Sequence, residues 1–106
     1  MNKAKQRRLS AKGWKVGSAE DFLGLSVEEA AYVEMKVMLS RKLKEQRTRK
    51  RLSQTQVARL INSSQSRVAR MEAGDPSVSL DLLVKSLLAL GASRKEVARS
   101  MAARVA

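Results

Sequence analysis

From Ser26 onward the apolar residues of this chain recur at helical intervals. Ser26-Val27-Glu28-Glu29 reads as a capping box with Glu at the third helical position, where serine and glutamate satisfy the first free amides of a helix. Ala30, Val33 and Val37, then Met35, Met38, Leu39 and Leu43, continue a broad apolar stripe with no breaker before Ser53, and the pattern predicts one long helix over 27–50. Val57, Ala58 and Ile61 share a face of a second helix, 54–61, and small Ala58 permits close approach of a neighbour. Asn62, which tolerates the left-handed conformation, then turns the chain, and Ser63 and Ser64 are candidate caps for a third helix, 64–73. In that helix Val68 and Met71 point inward, while Gln65, Ser66 and Arg70 occupy other faces. Pro76 bars continuation, and Ser79 caps a fourth helix, 79–90, with Leu80, Leu83, Leu87 and Leu90 on one face, widened by Leu82, Val84 and Leu88. Gly91 ends it; Ser93 with Glu96 caps a last helix over 93–106, whose Val97, Met101 and Val105 are spaced by four, for docking on the domain or for dimerisation.

The chain therefore reads as all-α. Its 106 residues suffice for one domain with a five-helix core. Trp14, Phe22 and Tyr32 are its only aromatics, so the core must be built from Leu, Val, Ile, Ala and Met. The first half of the long helix carries its own apolar stripe, which needs burial against the domain, a second copy or another protein.

Charge narrows the partners. Against 10 acidic residues stand 22 Lys and Arg, a formal charge of +12 that attracts polyanions at long range and leaves DNA, RNA and membrane surfaces open. Without cysteine or histidine the chain lacks thiolate metal sites, the commonest metal ligand and the commonest general base. The carboxylate doublets Glu20/Asp21 and Glu28/Glu29 diverge by about 100° on a helix and suit capping better than acid-base work. No enzymatic activity, metal or cofactor is expected. The amino terminus has no continuous apolar segment and no run approaches membrane-spanning length, so a cytoplasmic, nucleoid-associated protein of a bacterial cell is the expectation.

Residues 1–25 read as a basic arm and linker, with Lys3, Lys5, Arg7, Arg8, Lys12 and Lys15 preceding any acid. Such an arm is either a solvated tail or a segment that follows a DNA groove; Trp14 and Phe22 suit packing better than base stacking. Between Arg41 and Arg51 stand Arg41, Lys42, Lys44, Arg47, Arg49, Lys50 and Arg51 against the single acid Glu45. Cations favour a helix C-terminus, but this many exceed that need and favour phosphate binding.

Leu52-Ser53-Gln54, the pair Val57-Ala58, Ser64-Gln65-Ser66 and the closing Glu72 and Gly74 together carry a resemblance. The stretch resembles the helix-turn-helix of the lambda-repressor-like (Xre/Cro-type) DNA-binding family, with Asn62 where Gly is usual and Ser63 where Val is frequent. The resemblance implies a five-helix lambda-repressor-like fold, with a helix-turn-helix DNA-binding domain over 26–92 that is extended at its first helix, and the fifth helix at 93–106. It implies that Gln65, Ser66, Arg67 and Arg70 read bases and that Arg47 pairs structurally with Glu72. Gln fits adenine and Arg fits guanine, each good contact discriminating by about 1–3 kcal/mol. Gln54 and Ser64, at helix N-termini, together with Arg49, Lys50 and Arg51, are the candidate phosphate contacts. The expected function is sequence-specific binding of double-stranded DNA by a homodimeric transcriptional regulator, a repressor. The long first helix and short chain also resemble HigA-type antitoxins, which neutralise a small toxin and repress their own operon. RNA binding rests on charge alone, without interleaved aromatics to support it.

Overall fold

A computed structural model describes residues 26–104, whose regular secondary structure is all α-helix. The helices are α1 (Val27–Arg49), α2 (Gln54–Leu60), α3 (Gln65–Glu72), α4 (Leu80–Ala89) and α5 (Arg94–Ala102). The basic arm at 1–25, with Trp14 and Phe22, and the terminal Val105 lie outside the described residues. The chain divides into two units, the second beginning at Val33. Of the first, the described part is Ser26 and the opening turns of α1, where the Ser26 hydroxyl accepts from the amide of Glu29 at 3.1 Å.

The second unit has one aliphatic core. Leu39 and Leu43 of α1 meet Val57 and Ala58 of α2, Val68 and Met71 of α3, Val78, Leu83, Leu87 and Leu90 of α4 and its flanks, Ala92, and Val97 of α5. Leu80, Leu82, Val84, Ile61 and Met101 pack against its margin. Of the α1 stripe only Leu39 and Leu43 are buried; Val33, Met35, Val37 and Met38 are half-buried. Leu88, which the spacing assigns to the apolar face of α4, is 43% exposed. On a helix it stands about 100° or more from Leu83, Leu87 and Leu90, away from their seam.

Three of the inter-helix links share one construction. Each has a residue closing the helix, a left-handed residue, a residue turned toward the domain, and a serine that caps the next helix: Lys50-Arg51-Leu52-Ser53, Ile61-Asn62-Ser63-Ser64 and Leu90-Gly91-Ala92-Ser93. The amides of Leu52, Ser63 and Ala92 reach back to the carbonyls of Arg47, Ala58 and Leu87 at 3.1, 2.8 and 3.0 Å, the long-range bond of a Schellman stop. The link from α3 to α4 opens the same way at Gly74 and then runs on through Pro76 to the cap at Ser79. Against the predicted 64–73, 79–90 and 93–106, α3, α4 and α5 each begin one residue later, because Ser64, Ser79 and Ser93 have extended backbone and cap from outside. Arg51 at φ 58° is the unexpected member, since arginine carries no local signal for a left-handed turn.

Candidate nucleic-acid interface

α2 and α3 pack closely, and the tight link between them leaves one side of α3 buried and the other open. Val68 and Met71 are fully buried, whereas Gln65, Ser66, Arg67 and Arg70 are all exposed along the first two turns. The spacing of three between the buried residues fixes this division. Ser64 accepts from the amide of Arg67 at 3.2 Å, leaving the amides of Gln65 and Ser66 without an intrahelical acceptor at the positive end of the helix.

A polar network braces this surface from beneath. Arg47 donates from Nε to Glu72 Oε2 at 2.6 Å and from Nη2 to Oε1 at 2.9 Å, with Nη1 on the carbonyl of Leu52 at 3.0 Å. The Glu72 side chain is only 4% exposed, so this bidentate pair sits where water screens it poorly. Its hydrogen bonds hold the guanidinium of Arg47 above its ordinary pKa, against the opposing effect of burial. Gln54 Nε2 then donates to Glu72 Oε1 at 3.2 Å, and Gln54 Oε1 accepts from Gln65 Nε2 at 2.6 Å. The Gln54 amide, read from sequence as a phosphate contact, is thus occupied on both sides by residues of α3.

The cations of α1 do not form one surface. Neighbours two apart on a helix point about 200° apart, so the run must divide. Arg47 turns to α3. Lys42 turns to α5, with Nζ 3.3 Å from Glu45 and 3.4 Å from Glu96, and Arg49 pairs with Glu45 at 2.6 Å. These side chains line, with Arg41 and Arg99, a groove of about 410 Å³ between α1 and α5. Lys50 lies against Gly91 at the end of α4. Of the proposed phosphate group Arg49, Lys50, Arg51 and Ser64 are all exposed, and Arg51 stands just ahead of the α2 cap, apart from the Arg49–Glu45 pair and the seat of Lys50 on Gly91.

Among the described residues three carboxylates are held below their ordinary pKa. Glu45 is lowered by its hydrogen bonds to Arg49 and then Lys42. Glu96 is lowered by the amide of Ser93, which it caps, and then by Lys42. Asp75 accepts from both the amide and the hydroxyl of Ser77 at 2.8 Å, and these bonds lower it, with Arg70 and Lys36 adding to the effect. Lys36 also donates to the carbonyl of Pro76 at 3.0 Å, tying the α3–α4 link to α1. Sequence reading missed this tether; its partners are 40 residues apart and neither belongs to a motif. The Asp-x-Ser spacing could have revealed the turn at Asp75.

No helix among the described residues is long and apolar enough to cross a membrane. No curated protein and no solved structure matches the chain. A family model described as a helix-turn-helix domain matches residues 38–99, which include α2, α3, the link between them and the network beneath. With more than half its length matched, and with a buried-to-exposed division of α3 suited to presenting polar side chains, the chain belongs to the helix-turn-helix family of DNA-binding domains.

Proposed function

We propose that the protein recognises a short sequence of double-stranded DNA through α3 and acts as a homodimeric transcriptional repressor. The observation that carries this reading is the exposed row Gln65, Ser66, Arg67 and Arg70 on a helix whose opposite side is buried and braced by α2. Laid in the major groove, the row offers an amide suited to adenine and guanidiniums suited to guanine. The free amides opening α3 and the exposed Arg51 hold phosphates and set register without specifying sequence. Two copies related by a two-fold axis would read half-sites about one helical turn apart.

Selection of bound sequences from a random duplex pool tests the proposal, comparing the wild type with Arg70→Ala. A symmetric motif is expected, with preference flattened at one base pair in the variant. An unchanged ranking of sequences would remove Arg70 from the reading surface, and absence of any enriched motif would remove sequence recognition altogether.

One observation favours a second reading, that the protein is the antitoxin of a toxin–antitoxin pair. The matched segment begins at Met38, so the part of α1 bearing half-buried Val33, Met35 and Val37 lies outside it, and on this reading that stripe docks the partner. Co-purification with a small protein encoded beside it, lost on replacing these residues with polar ones, is the discriminating result.

A further inference from the structure

We propose that Glu72 is a positioning residue that fixes the donor–acceptor pattern Gln65 presents to DNA, an inference that rests on α3 being the reading helix. An ionised carboxylate can only accept hydrogen bonds. Both Glu72 oxygens are engaged by Arg47, and the side chain is almost wholly buried, so the remaining approach to Oε1 admits only a donor. Gln54 meets it with Nε2, at 3.2 Å.

That contact decides which way the Gln54 amide lies. The two ends of a primary amide have nearly the same shape, and their orientation follows from the groups around them. With nitrogen on Glu72, Gln54 turns its oxygen to the other side, where only a donor fits, and Gln65 supplies Nε2 at 2.6 Å. Gln65 is left with Oε1 and its second N–H for a ligand. Bidentate recognition of adenine needs one acceptor and one donor in a fixed order, and turning the amide end for end reverses that order. The last residue of α3 therefore sets the chemical polarity of the first, through a side chain of α2.

The test inverts the polarity while keeping an ion pair. Arg47→Glu combined with Glu72→Arg places a donor-only group opposite Gln54, so both amides must turn over. Selection from a random duplex pool should show a loss of about tenfold or more in relative affinity at the single base pair opposite Gln65, with other positions unaltered. A merely structural role would weaken all sequences alike or none. Because the double variant risks misfolding, a second measurement uses the unmodified chain without DNA. Couplings across the hydrogen bonds should join Gln54 Nε2 to the Glu72 carboxylate, and Gln65 Nε2 to the Gln54 carbonyl carbon. Couplings of the opposite sense, or none, overturn the inference. If the swapped protein folds and keeps the wild-type preference at every position, this inference alone falls. If the wild type selects no sequence, the DNA-reading function and the inference fall together.

Discussion

Lys50 rests on Gly91: a β-carbon at position 91 would stand 2.8 Å from the Lys50 ammonium nitrogen. The cation thereby meets the end of α4, where helix carbonyls gather partial negative charge, beside the bond from Gln46 Nε2 to the carbonyl of Leu90 at 3.2 Å. Gly91 has φ +90°, so an alanine there would be strained as well as displacing the flexible lysine tip. Gly91→Ala should lower stability by about 1–2 kcal/mol, measured by urea unfolding. A variant as stable as the parent would show that the turn accommodates a side chain.

Removing one member of the Arg47–Glu72 pair leaves a buried charge without its partner. Arg47→Ala should therefore cost about 3 kcal/mol, more than the double change Arg47→Met with Glu72→Met, which removes both charges. Denaturant midpoints of the single and double variants check the order. A double variant less stable than the single would mean that the charges themselves are not the issue.

Arg51 holds a left-handed conformation at φ 58° that glycine adopts freely. Arg51→Gly should raise stability by about 1 kcal/mol and, through loss of one phosphate contact, reduce the slope of log affinity against log salt by about one. Thermal unfolding and a salt series on duplex DNA separate the two effects. An unchanged slope would place Arg51 off the DNA.

The Ser63 hydroxyl is buried and makes no hydrogen bond among the described residues. It stands at the position after the left-handed residue, where an apolar group commonly packs back on the helix. Ser63→Val should stabilise by about 1 kcal/mol, since it exchanges an unmet polar group for an apolar one. A lower melting temperature would show that the site has no room for the added methyl groups.

The lowered carboxylates fix the sign of the acid response. In their folded environments Glu45, Glu96 and Asp75 bind protons less readily than at their ordinary values of 4.5, 4.5 and 3.8. Between folded and ordinary values the unfolded chain holds more protons, so their contribution is complete above about pH 5 and falls away as acid titrates the folded groups. With no histidine in the chain, stability should stay level through neutral pH and decline below the ordinary carboxylate range. Glu96→Gln should shallow that decline in an unfolding series against pH, and an unaltered slope would discount the Ser93 and Lys42 bonds.

Local features of the fold were legible in the sequence, and side-chain meetings across helices were not. Ser64, Ser79 and Ser93 announce helix starts because a cap acts within three residues, and the spacing of Val68 and Met71 alone separates the buried side of α3 from Gln65, Ser66 and Arg70. The engagement of Gln54 by Glu72 and Gln65, the tether from Lys36 to Pro76 and the seat of Lys50 on Gly91 depend on how helices pack, which spacing within one helix cannot reveal. The α1 cations illustrate the same limit. Contiguity in sequence suggests a shared surface, yet Arg47 and Arg49 face different neighbours.

The short links have a mechanical consequence. Where a left-handed residue, one inward residue and a capping serine follow in immediate succession, there is no slack, and each helix emerges at an angle dictated by the one before. An extra residue between Asn62 and Ser64 would either unseat the cap or leave α3 turned by roughly 100°, one residue's advance of a helix. The domain behaves as a gear train, whose teeth can be exchanged one at a time but whose pitch cannot change without disengaging the recognition wheel.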